Sequence, residues 1–96
     1  MQVLGLDLRL RLNEAQSLKD KRSVIRPIVD RLKNMGVSVS EVGHTEDIKN
    51  ARIGVAVVAG SPGQATAVID EAERLVWTLP GFDVVSAERT WMEMDR

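Results

Sequence analysis

Leucine occupies every even position from Leu4 to Leu12, with Gly5, Asp7, Arg9 and Arg11 between. A period of two puts alternate side chains on opposite faces of a strand, so residues 3–12 predict a strand with one face on the core. The period then lengthens. Leu18, Ile25, Ile28, Val29, Leu32 and Met35 form one stripe of a helix over 18–35. Ser17, three places before Asp20, reads as its N-cap, and Gly36 as its stop. Pro27 lies inside that helix; lacking a donor and crowding the preceding turn, it predicts a kink or a broken turn near residues 23–27. Val37 to Val42 alternates again as a second strand, and 43–51 is a polar connection. Arg52 to Gly60 is the most apolar run, as a central strand would be. Ser61-Pro62 supplies a cap and a proline at the first helical position. Ala65, Val68, Ile69, Ala72, Leu75, Val76 and Leu79 give a second helix its apolar stripe, which Pro80-Gly81 ends. Phe82 to about Met92 reads as a last strand, with Asp95 and Arg96 frayed.

The order β-α-β-β-α-β, with right-handed crossovers, closes into a four-stranded antiparallel sheet with both helices on one face. This is the ferredoxin-like split β-α-β architecture, an α+β fold, and residues 1–96 form one such domain. Helices on one side leave the other sheet face uncovered. By parity its central positions are Gly5, Asp7 and Arg9 on the first strand and Gly54, Ala56 and Val58 on the third. Glycine and alanine there let another surface approach closely.

The net charge of −1 rules out a global field that would drive the chain onto nucleic acid or membrane. The distribution is nevertheless uneven: residues 19–33 carry six Lys/Arg against two Asp/Glu. With no cysteine there are no disulfides, thiolate metal sites, iron–sulfur ligands or cysteine nucleophiles. No run approaches the ~18 apolar residues of a membrane span, and the N-terminus lacks a signal-peptide core. The expectation is a cytoplasmic protein that needs no membrane.

The stretch Ser17-Leu-Lys-Asp-Lys-Arg-Ser-Val-Ile-Arg26 joins a basic helix start to a basic strand. Lys19, Lys21, Arg22 and Arg26, with Arg9 and Arg11, are the candidate anion-binding residues, on the expectation that they converge into one patch. Lys19, Arg22, Arg26, Asp30 and Lys33 fall near one helical stripe. The plain alternative is a solvated helix face. Gly60-Ser-Pro-Gly63 lies where phosphate loops occur but lacks the Lys and Ser/Thr of a P-loop, so it reads as capping chemistry. His44, the only histidine, sits near Glu41, Glu46 and Asp47 and reads as a surface loop residue rather than a metal ligand. Trp77 falls toward the polar side of the second helix, either covering the core's edge or exposed as an interface anchor. Trp91 either closes the core's end or reaches the open face.

Ferredoxin-like domains serve several trades, so the side chains must decide. Electron transfer and copper delivery need cysteines. Base stacking in the manner of an RNA-recognition motif needs aromatics on the two central strands, where this chain has Gly, Asp, Arg, Ala and Val. Acylphosphatase-like chemistry needs a glycine-rich loop with arginine, and Asn13-Glu14-Ala15-Gln16 supplies neither. No catalytic triad or carboxylate pair can be placed in a shared cleft. The expectation is a non-enzyme without a cofactor or metal.

Ala15-Gln-Ser-Leu-Lys-Asp-Lys-Arg-Ser-Val24, the alternating first strand, Val37-Ser-Val-Ser-Glu-Val-Gly43 and Gly54-Val-Ala-Val-Val58 together resemble the YlxP-like family of short bacterial proteins, a domain of unknown function. The resemblance spans nearly the whole chain. It implies a ferredoxin-like fold, no established activity, and genes lying beside those for translation and ribosome maturation. Association with RNA or the ribosome is what that company points to. The segment His44 to Lys49 lacks the tryptophan often found there in the family.

Two functions follow. One is an RNA- or ribosome-associated accessory factor that meets phosphates through Arg9, Arg11, Lys19, Lys21, Arg22 and Arg26. The other is a homodimeric or small-ligand-binding module built on the open sheet face, with Gly5, Gly54, Ala56, Val58, Trp77 and Trp91 as its interface.

Overall fold

A computed structural model describes residues 1–43 and 45–93. The reading of His44 and the fraying of Asp95 and Arg96 fall outside them. The elements run β1 (Gln2–Arg11), α1 (Leu18–Asn34), β2 (Ser38–Glu41), β3 (Asn50–Ala59), α2 (Pro62–Trp77) and β4 (Asp83–Glu93). The strands form one sheet in the order β2-β3-β1-β4, every neighbour antiparallel. This is the ferredoxin-like arrangement that the sequence predicts.

The leucine ladder anchors the core. Leu4, Leu6, Leu8, Leu10 and Leu12 are all buried, and each stabilises the fold by about 2 kcal/mol of removed apolar surface. Against them pack Ile25, Ile28 and Leu32 of α1 and Ala65, Ile69, Ala72 and Val76 of α2. Both helices are capped as their sequences direct. The Asp20 amide donates to Ser17 Oγ at 3.0 Å, while the Gln16 amide donates to Asp20 Oδ2 at 2.9 Å. At α2 the Gln64 amide donates to Ser61 Oγ at 3.2 Å.

Pro27 does not break α1, which continues through it for 17 residues. The ring is exposed, and so is Ser23, the residue whose carbonyl loses its partner. Water can therefore serve that carbonyl, and the proline is tolerated on the solvent side. The connection from α2 into β4 turns at Gly81, with φ +99°. A Cβ there would meet Val24 Cγ2 of α1 at 3.1 Å, so glycine is needed for both backbone and space.

β4 carries one irregularity. Ser86 pairs with Arg9, but Val84, not Val85, pairs with Leu10. Val85 is the extra residue, and it is exposed. The bulge lets Val84 and Ala87, three apart, both pack against the core.

Candidate anion-binding site

The structure separates the six cations that the sequence groups together. Arg9 and Arg11 belong to the odd positions of β1, on the face opposite the buried leucines. The helices cover the leucine face, so the strand arginines and the α1 cations lie on opposite sides of the sheet. Both arginines also have local company. Arg9 lies 3.9 Å from Asp7, and Arg11 donates to Asn13 Oδ1 and Asn50 Oδ1 at 3.3 Å each.

Lys21 leaves the set altogether. It is 2 % exposed, the only charged residue among the buried positions of the described chain. Its Nζ donates to the carbonyls of Asp47 at 2.6 Å and Asn50 at 2.8 Å and lies 3.1 Å from Glu41 Oε2. A buried ammonium must be fully satisfied, and here it ties α1 to the end of β2 and to the loop entering β3. The loop is shaped for this. The Asp47 carboxylate accepts from the amides of Lys49 and Asn50 and from Asn50 Nδ2, turning the chain so that its carbonyl points inward. The bond from the Asn50 side chain, with those from the two amides, holds the Asp47 carboxyl below the usual range. Sequence reasoning passed over this hub, although Lys21 lies in line with Leu18, Ile25, Ile28 and Leu32 on the apolar stripe.

What remains is α1's outer surface. Lys19, Arg22, Arg26, Arg31 and Lys33 are all exposed. Among the described residues none of them has an ion pair. Elsewhere cations are mostly held. Arg52 makes a two-pronged bond to Asp7 at 3.0 and 2.8 Å, which keeps the Asp7 carboxyl below its usual range. Arg89 reaches across from β4 to Asp70 at 2.9 Å and Glu73 at 3.0 Å on α2. Lys49 donates to the Asn13 carbonyl at 2.8 Å.

Arg22, Arg26 and Lys33 line a groove of about 470 Å³ between α1 and β2, whose apolar lining includes Ile25, Val29 and Val39. Its acids are Asp30 and Glu41, and Glu41 is engaged with Lys21. Three unanswered cations against one unanswered carboxylate give the groove a local positive potential. That arrangement can hold anions, with two arginines able to grip phosphate or carboxylate two-pronged.

The residues expected at an interface are also divided. Gly5, Gly54, Ala56 and Val58 do share the open face, by their pairing across β1 and β3. Gly54 is partly covered, since a Cβ there would lie 3.5 Å from Val42 Cγ1. Trp77 is 65 % exposed on α2, so it does not cover the core's edge, and it is away from the open face. Trp91 pairs with Leu4 and therefore sits on the helix side of β4, an edge strand that leaves it 47 % exposed.

A family model described as "Protein of unknown function (DUF503)" matches residues 3–89. The chain belongs to that family. It is 28% identical over 79 residues to "Uncharacterized protein YlxP" of Bacillus subtilis (strain 168), covering 81% of this chain and 86% of that one. The YlxP-like resemblance in the sequence is thus confirmed. Among solved structures, a de novo designed protein with a ferredoxin fold, determined by NMR, is similar over 96% of this chain and 84% of its own, with a TM-score of 0.53 and 13% identity. At that identity the likeness concerns the fold alone.

Proposed function

We propose that this protein is a non-enzymatic, cytoplasmic accessory factor that binds RNA, in the setting of the ribosome, by its phosphate backbone. The observation that supports this reading is the row of cations on α1 that no carboxylate among the described residues neutralises, three of which line the groove beside β2. Unpaired cations at the start of a helix oppose its dipole at a cost of about 0.3–1 kcal/mol per exposed charge, and a bound anion relieves that cost. Phosphates rather than bases are the contact, because Phe82, Trp77 and Trp91 are the chain's only aromatics and none is on the central strands. Arg9, Arg11 and Lys21 take no direct part, which makes the surface narrower than the sequence suggests.

Neutralising four or five phosphates of a single strand gives a log–log salt slope of about −3, or roughly 60-fold weaker binding between 50 and 200 mM salt. Crosslinking in cells, followed by identification of the bound RNA, should recover ribosomal sequences with the native chain. It should lose them with a chain carrying Arg22→Glu, Arg26→Glu and Lys33→Glu. Binding that is indifferent to salt, or recovery that survives the triple reversal, refutes the reading.

A further inference from the structure

The open sheet face carries an orderly gradient that the α1 groove does not use. Pairing places Val58, Val3 and Met92 side by side across β3, β1 and β4 at one end of it. Val58 is 63% and Met92 59% exposed. Two residues further along come Ala56, Gly5 and Thr90, positions with little or no side chain to hold another surface off. Beyond them lie Asp7 and Glu88, and then Arg52 and Arg9. Arg11 and Asp83 complete the far end. Among the described residues the face therefore holds three carboxylates and three guanidinium groups, balanced in number and sorted by position.

We infer that this face packs against the same face of a second copy of the chain. An isologous interface must be complementary to itself. A surface with an apolar end that can meet its own copy, a flat middle and no net charge does not oppose that packing, whereas the α1 face, with its unanswered cations, repels its own copy. Register-matched packing, with the twofold axis along the strands, sets the Val3–Val58–Met92 row on its counterpart. The Asp7 and Glu88 row then faces the partner's own acidic row, where Asp7 is already neutralised by the two-pronged bond from Arg52 of its own chain. Glycine and alanine in the middle rows permit the sheets to approach at the usual separation of about 10 Å.

The area fits a reversible dimer. The three long strands, about ten residues each at ~3.4 Å per residue and ~4.8 Å apart, present about 500 Å² per partner, near the lower limit for a specific interface. Sedimentation equilibrium of the full chain from 5 to 500 μM should show the mass rising from monomer to twice that value, with a dissociation constant in the micromolar range. Val58→Asp and, independently on β4, Met92→Lys should each weaken the dimer at least tenfold while circular dichroism melting stays within a few degrees of the native chain. Arg22→Glu with Arg26→Glu should leave it unchanged. A monomer at every concentration, a dimer indifferent to both open-face variants, or one lost on the α1 reversal would each overturn the inference.

Discussion

α1 and α2 are nearly equal in length, 17 and 16 residues, and share one face of one sheet, yet they treat charge in opposite ways. α2 carries Asp70, Glu71 and Glu73 against Arg74, and two of those acids receive Arg89 from the neighbouring strand. α1 carries six cations against two acids, and only Lys21 is taken into the fold. On α2, charge fastens the helix to β4. On α1, the exposed charge has nothing within the described molecule to fasten to. Cation number therefore says little about binding: what matters is which cations the fold has already satisfied.

Removing the one satisfied cation of α1 should have the largest effect. Lys21→Met strips the ammonium from two carbonyls and leaves Glu41 without its partner, so a loss of about 3 kcal/mol is expected in urea unfolding. A loss under 1 kcal/mol would mean that the hub is incidental. Reversing the unsatisfied cations should do the opposite. Arg22→Glu with Arg26→Glu should lower RNA affinity at least tenfold in a filter-binding titration, yet move unfolding by no more than about 0.5 kcal/mol, as exposed sites do. Stability falling together with affinity would erase the distinction between the two kinds of charge.

Gly81→Ala tests how the two helices are joined. The left-handed backbone and the contact with Val24 together predict a loss of about 1–2 kcal/mol in thermal unfolding. The smallest effect concerns Asp7 on the open face. Its pKa is depressed in the folded chain by the bond from Arg52. It therefore contributes stability fully present above the unfolded aspartate value near 4, and lost as pH falls through the lower folded value. The carboxylate is about one-third exposed, so the contribution is discounted for screening to about 0.5 kcal/mol. Asp7→Asn should be less stable than the native chain by that amount at pH 7, the gap closing below pH 4. A gap that widens on acidification would contradict the pairing.

The period of two in β1, the helical stripes and the capping serines were enough to read the architecture, because each is a local consequence of which face must be dry. Pro27 read as a kink or a broken turn, and α1 runs on unbroken through it, because the sequence states the cost of a proline in a helix but not that its ring and Ser23 are on the exposed side. The site was harder to read. Lys21 looked like one more member of a basic run, although its spacing from Ile25 and Ile28 places it on the inward stripe. A lysine at that position signals a buried partner, and the partner, the Asp47 turn, is 26 residues away. Arg9 and Arg11 adjoin α1 in sequence but are separated from it by the thickness of a sheet. That separation follows from the same alternation that buries the leucines.

The extra residue at Val85 splits β4 into two stretches of opposite phase. Excising Val85 would restore ordinary pairing along the whole strand without turning over any other side chain. Excising Ser86, Ala87 or Glu88 would also remove the surplus, leaving Val84 and Arg89 both inward and shifting only the side chains between Val85 and the cut. Arg89 would keep its side of the sheet, facing Asp70 and Glu73, in each case. The spare residue thus lets this strand absorb a one-codon deletion without reversing either of its ends.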